Sequence, residues 1–390
     1  MVLFEAILLI YFGFVASYTF FFAIAAIMGD AHRTPVLKPN VYTPKFCVLI
    51  PAYKEDTVIV NTAQRALDQS YPTAQYDVVV IADSLKSETL QQLHQLPITT
   101  VEVHFENSTK VKALNAAMAE LPSTYDYGVI LDADNVMEAD FLQKLSVLFH
   151  STGAKVIQGQ RKPKNQQTTM AFLDGLSEAI NTTIFRKGTS AVGWSSAISG
   201  SGFATAYPLL KKTMQAMDSV GGFDKELEIL LLRQGHRVCY VHQLAVYDEK
   251  VGNSKSFQNQ RKRWISSQYL YLTKYLGEGL EALARGRWAF VNSSILRNVP
   301  LPRLINIGLL TLCTGAAIMI HEHHQMAYWV WVAIFALNTI ATFLAIPKAY
   351  YSFRMIKSIL YLPSVFIRLI LAFVQSKSAN KKFIHTPHEV

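Results

Sequence analysis

Cysteine is scarce in this chain: three in 390 residues, Cys47, Cys239 and Cys313, scattered without any ligand-like spacing. That excludes a disulfide framework and a cysteine-based zinc site, and predicts reduced, buried thiols. Charge is thin as well, with Asp, Glu, Lys and Arg making up 17% of residues against a typical quarter. A net charge of +9 would suit a nucleic-acid binder, but many of the basic residues flank apolar runs. Attraction to anionic lipid accounts for them, and nucleic acid is excluded as a partner. No Gly-rich phosphate loop is present, which leaves a kinase or P-loop reading without support.

What the chain has instead is apolar surface, 51% of residues. Residues 6–28 carry no charge and are long enough to cross a bilayer as one helix. Only Glu5 precedes them and the run is too long for a signal peptide, so an uncleaved anchor is expected. The basic residues Arg33, Lys38 and Lys45 follow it. The positive-inside rule then puts everything after residue 30 in the cytoplasm. Leu304–Ile320 and Met326–Ile346, joined by the polar loop "HEHHQ", predict a helical hairpin that leaves and returns. Residues 351–376 are broken by Arg354, Lys357, Arg368 and Pro363, which fits a helix lying in the interface, followed by a cytoplasmic tail. The expected division is an N-terminal transmembrane helix (1–29), a cytoplasmic domain (30–290) and a C-terminal membrane region (291–390). The sequons at Asn107, Asn181 and Asn292 would lie on the wrong side of the membrane for glycosylation. His321, His323 and His324 sit in the short external loop with no supporting partner in the sequence, so a metal site there is not expected.

Between residues 45 and 250 strands and helices alternate. "KFCVLIPAY" and "YDVVVIAD" are β-branched runs ending in polar residues, and the stretch from 58 to 70 has helical spacing. This predicts an α/β domain with a mostly parallel sheet, whose ligand site lies beyond the carboxyl ends of the strands. Those ends supply Tyr53 and Glu55, then Asp83, then Asp132 and Asp134. Each acid alone is often a helix cap or turn former; three strand ends together point to one site. In an extended chain Asp132 and Asp134 face the same way and repel unless a cation lies between them. A hard divalent ion completed by phosphate oxygens meets that need.

"IPAYKE", "VVIADS", "KVKALNAAM", "LDAD", "SGSGFA" and "QNQRKRW" occur in the order and spacing of the membrane-bound family 2 inverting glycosyltransferases. Over roughly residues 45–270 the chain resembles these relatives of cellulose, chitin and hyaluronan synthases. The resemblance implies a GT-A type nucleotide-sugar-binding domain, a Mg²⁺ or Mn²⁺ cofactor and a UDP-sugar donor, at the plasma (inner) membrane. Tyr53, Glu55 and Asp83 would edge the nucleoside pocket, Lys110 would lie near the diphosphate, Asp132 would contact the nucleotide and Asp134 the metal. Gly200, Ser201 and Gly202, with Gln260, Arg263 and Trp264, would serve the acceptor or the diphosphate. Trp194 either lines the acceptor groove or packs.

An inverting transfer needs a base for the acceptor hydroxyl. The family has Glu-Asp at this place; here Phe223 precedes Asp224, and Glu226 is the nearest other carboxylate, so both acids remain candidates. Lys54 stands where relatives commonly have Asn. Three functions follow: sugar transfer to a growing polysaccharide, with other subunits of an export system as partners; transfer of one sugar to a lipid or lipid-linked acceptor; or a non-catalytic nucleotide-sugar-binding scaffold.

Overall fold

The computed structural model describes residues 2–29, 42–321 and 325–378. Arg33, Lys38, His323, His324 and the basic tail lie outside them. Eight strands build one sheet: β1 (Phe46–Tyr53), β2 (Tyr76–Asp83), β3 (Thr99–Val103), β4 (Tyr127–Ile130), β5 (Val136–Met137), β6 (Val156–Pro163), β7 (Phe203–Ala206) and β8 (Cys239–Asp248). Their order is β3-β2-β1-β4-β7-β6-β8-β5.

β3, β2, β1 and β4 run parallel, as expected of strands joined by crossover helices. Beyond β4 the expectation of a mostly parallel sheet fails. β7 is antiparallel to both β4 and β6, and β5 is antiparallel to β8, so the sheet is mixed.

Along β1, side chains alternate between two cores. Phe46, Val48 and Ile50 pack with Leu142, Leu145 and Ile59 on one face, while Cys47 and Leu49 meet Leu114, Met118 and Leu210 on the other. The buried residues Ile59, Thr62, Ala63 and Ala66 form one stripe of helix Ile59–Leu67. Thr109 caps helix Lys110–Glu120 by accepting the Lys112 N–H at 3.1 Å. All three cysteines are free thiols, and burial pushes the Cys47 thiol up.

Among the described residues three helices are long and apolar enough to cross a membrane: Leu3–Met28, Arg303–Ile320 and Met326–Ala345. The first packs on the third, with Phe12 against Leu310 and Trp331. At its far end Glu5 accepts from Trp331 Nε1 at 3.0 Å and meets His321 Nε2 at 2.7 Å, so His321 is engaged in holding the bundle together. Toward the α/β domain, Tyr18 donates to Asn292 Oδ1 at 2.7 Å, and Phe22 lies against Gly188 where a Cβ would come 2.3 Å from the Phe22 carbonyl. The segment expected to be one interfacial helix is two, Phe353–Ile359 and Leu362–Val374, bent by 56°. Pro363 in the first turn of the second suits that break. Arg354 anchors the first by donating to the carbonyls of Gln166, Gln167 and Thr168. Residue 290, the expected domain boundary, lies inside helix Trp288–Val291, which packs on Ile229 and Leu232 of the α/β domain.

Candidate active site

β1 and β2 end side by side, Tyr53 opposite Asp83. Lys54 and Ser84, just beyond, both take left-handed backbone (φ 56°), and the Lys54 N–H donates to the Asp83 carbonyl at 3.1 Å. Left-handed backbone at residues other than glycine costs on the order of 1–3 kcal/mol each and concentrates at functional sites. The twin turns reverse the chain so that Tyr53, Glu55 and buried Asp83 line one cleft, with Ser84 Oγ donating to Asp83 at 3.0 Å.

Asp132 and Asp134 also line the cleft, though not by the strand alternation expected of them. β4 stops at Ile130, and the Asn135 N–H donates to the Asp132 carbonyl at 3.0 Å, making a turn. The two acids have different surroundings. Asp132 is ion-paired with Lys110, whose ammonium also donates to the Gly200 carbonyl at 2.9 Å and sits 4.7 Å over the Phe223 ring. Asp134 is buried; its carboxylate accepts the Glu249 N–H at 3.3 Å and its carbonyl accepts from Lys164.

Ser201 and Gly202 do not reach the cleft. Ser201 Oγ accepts the Asp132 N–H at 2.9 Å and bonds the Asn135 side chain at 2.6 Å; in the orientation that satisfies both partners, Asn135 donates to Asp134 at 3.0 and 3.2 Å. The Gly-Ser-Gly turn therefore braces the acidic loop from behind, and only Gly200 faces the cavity. Its sharp path requires positive φ at Gly200 (80°) and Gly202 (64°), and a Cβ at Gly202 would press on Val246.

Asp224 and Glu226, both in the first turn of helix Phe223–Arg233, diverge. Asp224 lines the cleft, and burial pushes its carboxyl above the ordinary aspartate value against the pull of Lys225. Glu226 is turned away, ion-paired with Lys274 and accepting from Tyr275 at 3.1 Å. Glu226 does not line the cleft, whereas Asp224 does.

Gln260, Arg263 and Trp264 share one face of helix Ser254–Ala284 at the spacing of successive helical turns, and all three line the cleft. Burial pulls the Arg263 pKa down while the Asp132 charge opposes the shift. Trp264 is 40% exposed, its ring covered by the Arg261 guanidinium at 4.3 Å.

Residues lining the cleft, and buried acids that pair with them, went unnoticed in the sequence. Arg161 and Lys250 both pair with Asp248 and Glu178, a charge network beside the acidic loop. Asp248 is itself a strand-terminal acid, at the end of β8, so the strand-end rule would have found it. Glu228, fully buried, accepts from Arg297 at 2.9 Å, from Ser293 and from the Ile198 N–H.

Among the described residues no cluster of three or more His, Cys, Asp or Glu side chains could form an all-protein metal cage. The donor set suits a hard divalent ion held by one or two carboxylates and completed by phosphate oxygens. Asp132 and Asp134 would be those carboxylates.

The cleft has a volume of about 1360 Å³ and continues past Asp224 to residues of the apolar helices. Leu304 and Ile307 line it from the second span; Asn338, Thr342 and Phe343 from the third; Leu362, Val365 and Leu369 from the bent pair.

Residues 44–267 match glycosyltransferase like family 2, and the chain belongs to that family. Its fold is GT-A, the mixed sheet included. The chain is 25% identical over 249 residues to a probable glycosyltransferase, YdaM, of Bacillus subtilis, covering 60% of this chain and 58% of that protein. It is 24% identical over 256 residues to a beta-monoglucosyldiacylglycerol synthase of Synechocystis sp., covering 62% of this chain and 50% of the relative. The chain thus matches only about half the length of these curated relatives. Among solved structures, the mannosyltransferase PcManGT of Pyrobaculum calidifontis, in complex with GDP-Man and Mn²⁺, shares the fold with a TM-score of 0.60 at 17% identity, over 96% of this chain and 99% of that one.

Proposed function

We propose that this chain transfers a single sugar from a nucleoside-diphosphate sugar to a membrane lipid that enters the cleft sideways from the bilayer. The observation that carries this reading is where the cavity stops. On the third span its lining runs from Ile346 back to Asn338, about 12 Å, on the second from Arg303 to Ile307, and on the first no further than Val15, about 20 Å from that helix's end at Met28, so it stops part-way along each apolar helix. That depth suits a lipid headgroup with its tails left in the bilayer. A growing polysaccharide needs a path through the membrane, and the described lining offers none. The relatives named beta-monoglucosyldiacylglycerol synthase favour the same reading.

The acceptor hydroxyl attacks the anomeric carbon from the Asp224 side. Its proton passes to the Asp224 carboxylate as the new bond forms and the nucleoside diphosphate departs, inverting the anomeric centre. Tyr53, Glu55 and Asp83 bound the nucleoside end; Lys110, Arg263 and Lys164 place positive charge around the diphosphate. When bound, Mg²⁺ or Mn²⁺ at Asp132 and Asp134 would neutralise the departing diphosphate. Gln260 and Trp264 would flank the sugar. With the positive-inside orientation, the catalytic domain is cytoplasmic and the donor is drawn from the cytoplasm.

The test is to incubate purified protein with labelled UDP- and GDP-sugars, Mg²⁺ or Mn²⁺, and a lipid extract. One sugar per lipid, abolished by chelator, supports the reading; a water-soluble polymer contradicts it. Metal-dependent nucleotide binding without turnover would instead favour a scaffold.

A further inference from the structure

Beyond Asp224 the cavity wall is cationic. Lys225, Arg297, Arg303 and Arg186 all line it. Lys225 donates to Asn298 Oδ1 at 3.3 Å, so it is tied to the strip that runs from Arg297 through Pro300 and Pro302 to Arg303 at the start of the second span. Arg303 in turn donates to Asn181 on helix Thr169–Thr182, and the π-helical turn Thr183–Gly188 that continues it carries Arg186. One wall therefore joins the proposed base to the membrane-facing mouth.

Among the described residues three of the four cations have no carboxylate within ion-pair distance, although Glu178 lies near Arg186, and Asp224 and Glu228 near Lys225. Arg186 donates to the Ala197 carbonyl (3.3 Å) and to Thr182 Oγ1 (2.9 Å), and among the described residues Lys225 and Arg303 donate to neutral amides. Among the described residues Arg297 has a carboxylate within ion-pair distance, Glu228, and its Nη1 finds no partner there although the residue is 7% exposed. Burying cations without counter-charge is costly unless an anion joins them. Burial and the nearby Arg297 charge push the Lys225 ammonium down to about 8.

Resting on the lipid-acceptor reading, we propose that the acceptor is an anionic lipid that carries a phosphate group beside its reactive hydroxyl, the phosphate being held by Arg303, Arg297 and Lys225. Two sources share that chemistry: a glycerophospholipid with a hydroxylated headgroup and a polyprenyl-diphosphate-linked sugar. In either case the hydroxyl oxygen forms the bond to the anomeric carbon, its proton goes to Asp224 and the nucleoside diphosphate leaves. The lipid phosphate is unchanged.

The experiment compares acceptors in phosphatidylcholine nanodiscs containing the full chain. Separate arms contain dioleoylglycerol, phosphatidylglycerol or a polyprenyl-diphosphate sugar, with the active nucleotide sugar and Mn²⁺. Transfer is expected to one of the two phosphate lipids, and that arm identifies the source. Arg303→Gln and Lys225→Gln should each raise the KM for that lipid by about tenfold or more, the size expected for a lost charge-assisted contact, while Arg303→Lys restores most of it. Nucleotide binding by each variant checks that it folds. Equal or better use of dioleoylglycerol, or an unchanged lipid KM in correctly folded variants, overturns the inference and leaves lipid transfer standing. Polymer synthesis with no glycolipid in any arm overturns both.

Discussion

Asp224 is where the chemistry is most exposed to test. It can act as a base only when ionised, and burial raises its pKa. The rate should therefore fall as pH drops through a value above the ordinary aspartate range. Because the Lys225 charge pulls that pKa down, Lys225→Gln should move the acid limb of the pH–kcat profile to higher pH. Asp224→Asn should lower turnover by about 10²- to 10⁴-fold with nucleotide binding intact, measured by product formation beside calorimetric titration. Glu226→Gln should leave the pH profile unshifted, since that carboxylate faces Lys274 and Tyr275. Glu228 has a structural task. Glu228→Gln strips the buried Arg297 of its counter-charge and should cost about 3 kcal/mol, read as a lowered unfolding midpoint in detergent.

At the scale of elements, the ends of the parallel strands were legible because a buried strand must stop being apolar where it meets a ligand. Tyr53, Asp83 and Asp132 follow from that rule alone. The turn geometry at Asp132–Asn135 and the bracing role of Ser201 were not legible, since they depend on the antiparallel β7, whose pairing no local pattern announces. Glu226 and Asp224, two residues apart on a helix, could not be separated by sequence either; the helix rotates one toward the cleft and the other toward Lys274. The kink between Ile359 and Leu362 was only half visible: Pro363 marked it, but the charges read as an interfacial helix. The docking of the first span rests on close approach at Gly188 and on the Tyr18–Asn292 hydrogen bond. Gly188→Val should overpack this contact and Tyr18→Phe should leave the buried Asn292 oxygen without its donor, each lowering stability by about 1–3 kcal/mol in a thermal melt.

Across the whole molecule, a nucleotide-binding sheet and a set of apolar helices share one cavity, and the proposed base stands where the two halves meet. On the proposed reading, that arrangement would bring a water-soluble donor and a membrane-held acceptor together without moving either across the bilayer. The most direct measurement is mass spectrometry of the organic and aqueous phases after the purified chain turns over a labelled nucleotide sugar with Mn²⁺ and membrane lipid. The account predicts a lipid heavier by one sugar, formed with one nucleoside diphosphate released per transfer and lost on adding chelator. Label accumulating in a water-soluble chain of many sugars, or glycolipid formed equally well in chelator, would contradict it.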